Sequence, residues 1–415
     1  MTLFGLGVAA LLYLSTNTLS LPSSIQIHPI MDGHDDFLFL LRNTMGNHIY
    51  NDNFTKPFLN GTLQGQFDLK RSFEGKMGGA FWSAWVPCPT DGRNFSDENY
   101  DLAVKTTLEQ IDLFYRLQAE YPHAFTPPKN AIEAEKILRN YNSPKSRLVS
   151  PLAIEGLHQI GNSLSTLRLY YNLGVRYATL TWNCHNKYAD AALEMPGGVM
   201  QKAIPLHNGL SPEGSLLVHE MNRMGMIVDL SHVSADTMRD VLAGNKTRGI
   251  ERSIAPPIFS HSSAYAVCPH PRNVPDDVLQ MVKERGSVVM INFLPEFVSC
   301  KEAKEGKGGL PTFANETNTI EKVVEHIMHI GGLVGFEFVG IGSDFDGIAS
   351  TPRGLEDVGR FKDLLGLLRE RGLSEREIGM VANGNVMRVW KEVERVAEEM
   401  KNEKPYEEEL REILE

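Results

Sequence analysis

The chain has 415 residues, 42% hydrophobic and 22% charged, a globular composition long enough to bury a large core in one big α/β domain or two smaller ones. Its formal net charge of -11 argues against nucleic acid or another polyanion as partner, since such partners are usually met by a basic face. Small-molecule chemistry fits that balance better.

In chain order, residues 1–22 carry an apolar run from Leu3 to Leu14 followed by small and polar residues, which matches the apolar core of a secretory leader in length. No Lys or Arg precedes the run, so a signal peptide, a short membrane anchor and an N-terminal extension all stay open. The run is too short to span a bilayer comfortably. Residues 23–415 read as a single domain.

Short apolar runs rich in β-branched residues then recur. Candidate strands are Ile25–Met31, Gly79–Val86, Leu148–Ile154, Val175–Trp182, Met226–Leu230, Pro257–Ser260, Ser287–Leu294 and Val339–Ser343. Between them lie stretches with apolar residues at helical spacing, ending at Gly174, Gly225, Gly286 and Gly331, where a left-handed glycine would close each helix. Ser211-Pro212 and Val274-Pro275 place proline near a helix start, where its missing N–H costs little. The polar segment Asn43–Lys76 reads as a loop with little regular structure, and Arg360–Met400 as amphipathic helices packed outside the main body. Eight strands alternating with helices predict a closed (β/α)8 barrel with additional C-terminal helices. A doubly wound sheet would call for a Gly-x-Gly-x-x-Gly turn, which is not seen.

Five Asn-x-Ser/Thr acceptors, at Asn53, Asn60, Asn94, Asn245 and Asn315, fall in what read as turn-rich connections and tilt toward a secreted, glycosylated protein. Four cysteines, Cys88, Cys184, Cys268 and Cys300, allow three pairings, or four buried thiols. The charged, amphipathic C-terminus has no hydrophobic tail of the kind a glycolipid anchor requires.

Barrel enzymes carry reactive groups at the C-terminal ends of their strands. After the first run comes Asp32-Gly33-His34-Asp35-Asp36, in which strand alternation points His34 and Asp36 the same way. An imidazole and a carboxylate so placed suit a divalent cation such as zinc, although His-x-Asp alone is a weak signal. Glu155 ends the third run, His232 follows the fifth, His261 the sixth, and Asp344 and Asp346 the eighth. Each alone reads as a hydrogen-bonded strand terminus. Together they could hold two cations, about 3.5 to 4 Å apart, bridged by Glu155 and an ionised water that attacks an amide carbonyl.

At this point the residues resemble the membrane (renal) dipeptidase family, binuclear zinc peptidases of the metal-dependent amidohydrolase type. The likeness runs from about Asp32 to near Val393. Its motifs are Asp-Gly-His-x-Asp at Asp32, Gly78-Gly79-Ala80-Phe81-Trp82-Ser83, Glu155-Gly156, Ser260-His261-Ser262-Ser263-Ala264-Tyr265, Arg272-Asn273-Val274-Pro275-Asp276-Asp277 and Asp344-Phe345-Asp346-Gly347. The resemblance implies His34 and Asp36 on the first zinc, Glu155 as bridge, and His232 and His261 on the second. It makes Arg272 the anchor for a dipeptide's free carboxylate and Asp344 the acid/base residue, with Asp346 left to cap the following turn. It also pairs Cys88 with Cys184 and Cys268 with Cys300, which agrees with a secretory protein, and implies a homodimer.

One departure stands out. Where the family has a histidine that polarises the scissile carbonyl, this chain has Trp182, whose indole donates one hydrogen bond and carries no charge. Three readings follow: His185 takes the role from three residues on; the pocket is reshaped for a bulkier or differently charged substrate; or the protein binds metal and ligand while hydrolysing ordinary dipeptides poorly. The expected activity is cleavage of a dipeptide, with the Cys-Gly bond of a glutathione-derived conjugate as the narrower version. The alternative is a catalytically weakened metal-binding protein of the same fold. His326, His329 and His219 read as residues of outer helices, Trp82 and Trp85 as core or pocket wall, and His158 as near the site without touching metal.

Overall fold

The computed structural model describes residues 28–142, 146–301 and 307–408; the leader expected over residues 1–22 and most of the charged tail lie outside them. Eight parallel strands follow one another around a single sheet: β1 (Ile30–Asp35), β2 (Met77–Trp85), β3 (Leu152–Glu155), β4 (Val175–Thr179), β5 (Ile227–Asp229), β6 (Ile258–Phe259), β7 (Val288–Ile291) and β8 (Val339–Ile341). The seam between β8 and β1 is stitched just past β8. The Asp344 N–H donates to the His34 carbonyl at 3.1 Å, and the Asp36 N–H to that of Phe345 at 2.8 Å. This is the (β/α)8 barrel expected from the alternation.

The first strand lies further along the chain than Ile25–Met31, and of that run residues 25–27 fall outside the described part. The acidic stretch that seemed to end it is itself strand. Asp32 is fully buried, yet its carboxylate accepts the Ser343 N–H at 2.8 Å and the Ser343 hydroxyl at 2.5 Å, so the charge is paid for by hydrogen bonds across the seam. Glycine is required here for room: a Cβ on Gly33 would lie 2.4 Å from the Ser260 carbonyl oxygen, and one on Gly342 1.8 Å from the same atom. Elsewhere the strands match the apolar runs with trimmed ends, except that β2 begins two residues early, at Met77. Leu148–Ile154 begins as a ladder only at Leu152, after Pro151.

Helices fill the crossovers and their ends follow side-chain chemistry. Ser211 caps Pro212–Met224 and Gly225 closes it in the left-handed conformation; Gly286 does the same for Asp276–Arg285. The helix expected to stop at Gly331 runs on from Ile320 to Val334 and closes at Gly335. Asn43–Lys76 is not a loop. Asn51 and Asp68 cap two helices, Asp52–Asn60 and Leu69–Glu74, and Phe54 and Phe58 of the first enter an aromatic cluster with Phe37 and Phe125. Asn53 and Asn60 therefore sit on a helix surface, not in a turn, and both are exposed. As expected, Arg360–Met400 is helical, with Phe361–Glu370 and Asn385–Glu399 its longest pieces.

That last helix packs against the barrel's inner apolar layer. Trp390 is fully buried, 5.4 Å from the ring of Phe81, in a cluster that includes Met31, Tyr177 and Met290. A buried indole of this kind contributes about 3–5 kcal/mol. The opposite, C-terminal end of the barrel is left for chemistry.

Both disulfides pair as the resemblance implied, Cys88–Cys184 and Cys268–Cys300. No helix of the described residues is long and apolar enough to cross a membrane.

Candidate metal centre

The strand ends bring the five expected side chains together, all buried: His34 on β1, Asp36 one residue beyond it, Glu155 closing β3, His232 after β5 and His261 after β6. His232 Nε2 lies 2.8 Å from Glu155 Oε1, and His261 Nε2 lies 3.2 Å from the same oxygen. The other carboxylate oxygen, Oε2, faces His34 Nε2 at 3.7 Å, and Asp36 Oδ2 lies 3.4 Å from that nitrogen. Glu155 thus divides its two oxygens between two sets of imidazoles.

The protons on those imidazoles are held elsewhere. Tyr177 donates its hydroxyl to the Gly33 carbonyl at 3.1 Å, so its oxygen accepts His34 Nδ1–H at 2.5 Å. Ser260 donates to Asp229 at 2.6 Å and accepts His261 Nδ1–H at 2.8 Å. His232 Nδ1–H is accepted by Asn183 Oδ1 at 3.0 Å. In each neutral ring Nε2 is left as a bare lone pair, the tautomer a metal ligand needs.

Acceptors then face acceptors: the Nε2 atoms of His232 and His261 are 2.9 Å apart with a carboxylate oxygen beside both, and buried His34 Nε2 and Asp36 Oδ1 have no hydrogen-bond partner. Such a set is repulsive by itself and is completed by cations, so the donor set fits a metal. Electrostatics agree. Burial, with Arg272 and His34 nearby, holds His232 and His261 well below the ordinary imidazole range. At His34 burial is outweighed by the carboxylates of Glu155 and Asp36, which raise it to about 10; this is a field that attracts positive charge.

Asp344 flanks the centre. It carries a left-handed backbone, φ 66°, as does His232 at φ 68°, an unfavourable conformation for non-glycine residues that recurs at functional sites. Burial raises the Asp344 carboxyl to about 7, and Asn292 Nδ2 donates to its Oδ2 at 3.0 Å. Asp344 also joins His34 and Asp36 as a group able to share one ion. Asp346 is not a cap of its own turn; its Oδ1 accepts the Gln66 N–H at 2.5 Å.

A cavity of about 420 Å³ opens above these groups. Asp36, Glu155, His232 and Asp344 form its floor, while Phe39, Trp85, Trp182, Leu193 and Met200 are among its apolar walls. Arg272 also lines it, 1% exposed. Its guanidinium sits over the Phe297 ring at 5.1 Å and reaches Ser262 Oγ only at 3.4 Å, and buried Nε and Nη2 have no partner. A buried cation so unpaired calls for an anion.

His185 is absent from this cavity. It is turned behind the Cys88–Cys184 bridge, its Nδ1 3.0 Å from Asp190 Oδ1, because the chain folds back after Trp182 and buries the ring against that carboxylate. Trp182 itself takes the wall position, its ring 4.8 Å from that of Trp85 and 6.2 Å from that of His232. His158 donates to or accepts nothing at the centre; its Nε2 meets the Val86 carbonyl at 2.9 Å. His326, which reads as an outer-helix residue, is buried with Nδ1 accepting the Ala264 N–H at 3.0 Å, whereas His329 is paired at the surface with Asp276.

Over the whole barrel the likeness to known proteins is extensive. Residues 24–404 match the family model described as membrane dipeptidase, peptidase family M19. The chain belongs to that family. The dipeptidase aclJ of Aspergillus oryzae is 43% identical over 93% of this chain and 83% of its own, and an uncharacterized dipeptidase of Schizosaccharomyces pombe is 44% identical over 88% of this chain and 81% of its own. Among solved structures, a metallopeptidase from Rhodobacter sphaeroides, liganded with a phosphinate mimic of L-Ala-D-Ala, superposes with a TM-score of 0.71 at 25% identity, covering 89% of this chain and 100% of that one. The protein is accordingly a metallo-dipeptidase, and metal dependence is a property of its family.

Tyr177, Asn183 and Asn292 were not singled out from the sequence. A signal existed for Tyr177, which lies two residues before Thr179 on β4 and so shares its face; for the two asparagines there was none.

Proposed function

We propose that this metallo-dipeptidase works with two zinc ions, one held by His34 and Asp36, the other by His232 and His261, with Glu155 shared between them. The observation that carries this is the division of the Glu155 oxygens between imidazoles whose Nε2 lone pairs converge. Zinc suits three imidazoles and two carboxylates better than magnesium or calcium, which favour all-oxygen sets. Paired zinc ions would supply Lewis acidity to the scissile carbonyl and bring water toward ionisation at neutral pH.

The chain's own groups do the rest. Arg272 receives the free carboxylate of the dipeptide, pairing its buried guanidinium. Asp344 takes a proton from the attacking water as the new C–O bond forms and returns it to the amine nitrogen as the C–N bond breaks; Asn292 keeps it aimed. Trp182, Trp85 and Phe39 give the remaining space an apolar lining, which supports an S-substituted Cys-Gly dipeptide, whose conjugated group needs such a wall, as the preferred substrate class. Trp182 donates no charge to the carbonyl, and His185 does not replace it, so small dipeptides are the poorer substrates. The two disulfides and the exposed acceptors Asn53, Asn60, Asn94 and Asn315 support a secreted glycoprotein; Asn245 is half-buried and caps a short turn.

The test is metal analysis of the purified protein with turnover of a panel of dipeptides and S-substituted Cys-Gly compounds. Two zinc ions per chain, turnover lost to chelator and restored by zinc, and faster cleavage of the conjugates are expected. One ion per chain, or an equal loss-free rate in chelator, overturns the two-zinc reading. Stoichiometric zinc with no turnover of any member would show a weakened metal-binding protein instead.

A further inference from the structure

Arg272 has a companion at its end of the cavity. His270 also lines the cavity and is 5% exposed. Its Nδ1 accepts the backbone N–H of Arg272 at 3.2 Å, so the neutral ring carries its proton on Nε2. Burial and the adjacent guanidinium push this imidazole down to about 3, which keeps it uncharged throughout the neutral range. Among the described residues, no protein group hydrogen-bonds to that Nε2.

The surroundings hold the ring still. It lies against Phe297 with centroids 4.4 Å apart, and the same phenyl carries the Arg272 guanidinium. Asn273 Nδ2 donates to the carbonyls of Cys268, at 2.9 Å, and Phe297, at 2.8 Å. The Cys268–Cys300 disulfide joins the two segments covalently. The cavity is therefore lined, over one phenyl ring, by an imidazole whose N–H has no protein partner among the described residues and a guanidinium whose Nε and Nη2 have none.

We propose that His270 is a specificity-determining residue, its Nε2–H donating to the substrate's C-terminal carboxylate beside Arg272. A carboxylate offers about four lone-pair directions, and a guanidinium fork takes two at most, so a second donor finds an acceptor. Being neutral, the imidazole adds no like charge next to Arg272. The pair then rejects a dipeptide whose C-terminus is an amide, because both donors would be left without an anion. This proposal rests on the reading of Arg272 as the carboxylate anchor.

The experiment compares a dipeptide with the same dipeptide amide on the metal-loaded protein, its H270F, H270N and H270Q variants, and R272M. Phe keeps the ring against Phe297 without the donor, Asn keeps a polar group near the Nδ1 position only, and Gln places an amide N–H near the Nε2 position. H270F and H270N are expected to raise KM for the dipeptide about tenfold with kcat within about twofold, to leave kcat/KM for the amide unchanged, and H270Q to recover most of the loss. If H270F fails to fold, H270N carries the comparison. An equal rise in KM for both compounds, or none, overturns the role of His270. R272M separates the two claims: if it fails to narrow the gap between acid and amide, the anchor reading itself falls, and if it narrows the gap while H270N does not, only His270 falls.

Discussion

The phenol oxygen of Tyr177 on β4 meets Nδ1 of His34 on β1 at 2.5 Å, reaching across the barrel interior. Because the same phenol donates its proton to the Gly33 carbonyl, it can only accept from the imidazole, and this leaves His34 Nε2 free for a cation. Tyr177→Phe removes the acceptor and keeps the ring. Metal affinity should fall about 10- to 100-fold, measured by competition with a chromogenic chelator, while the folded protein retains its far-UV spectrum. Unchanged affinity would show that the Tyr177 oxygen does not set the His34 tautomer.

On the two-zinc proposal Asp344 stands beside the ligands without being needed to close either set, since each has its own imidazole and a share of Glu155. Asp344→Asn should therefore lower kcat about 10²- to 10⁴-fold and leave the bound metal per chain as in the parent. Metal analysis and steady-state kinetics on one preparation check both halves. Loss of metal in this variant would make Asp344 a ligand first and an acid/base group second.

The five clustered side chains were legible because each ends or follows an apolar run, and a barrel delivers strand ends to one rim. Their supports were not, because Tyr177 finds His34 143 positions away in sequence and no local pattern announces such a pairing. The displacement of β1 has a similar cause: Asp32 looks like the end of a strand until Ser343, brought in just past β8, supplies its donors. The helices within Asn43–Lys76 could have been found, since Asn51 and Asp68 are capping residues and Phe54 and Phe58 share a helical face. Their polar surroundings masked a buried stripe. His185 misled for the opposite reason: its closeness in sequence to Trp182 said nothing about Asp190, which captures it.

That capture has a pH signature. Burial would raise the Asp190 carboxyl, but His185 and the N–H groups of His207 and Gly209 outweigh it and lower it to about 2. A carboxylate whose folded value lies below its unfolded value stabilises the fold at pH above the unfolded value, and the contribution is lost as pH falls through the folded one. Stability should thus decline between about pH 4 and pH 2. Asp190→Asn should cost on the order of 2–4 kcal/mol at pH 7 and less at pH 2, as read by urea melts at both values. A cost independent of pH would mean that shape, not charge, is what Asp190 contributes.

On the proposed reading, Trp182 is the residue on which substrate choice turns. Its indole stands edge-on to Trp85 above His232, so it withholds a charged donor from the scissile carbonyl and offers apolar surface to whatever fills the cavity. Trp182→His should reverse both. Turnover of small dipeptides should rise on the order of 10²- to 10³-fold, the usual worth of one electrophilic donor. KM for S-substituted Cys-Gly compounds should rise several-fold as the aromatic wall is cut back. The decisive quantity is the ratio of kcat/KM for the two classes, because a variant that is merely damaged lowers both and leaves the ratio alone. A rise for small dipeptides with no loss for the conjugates would mean that the indole limits catalysis without selecting the substrate, and the apolar wall would then belong to Trp85 and Phe39.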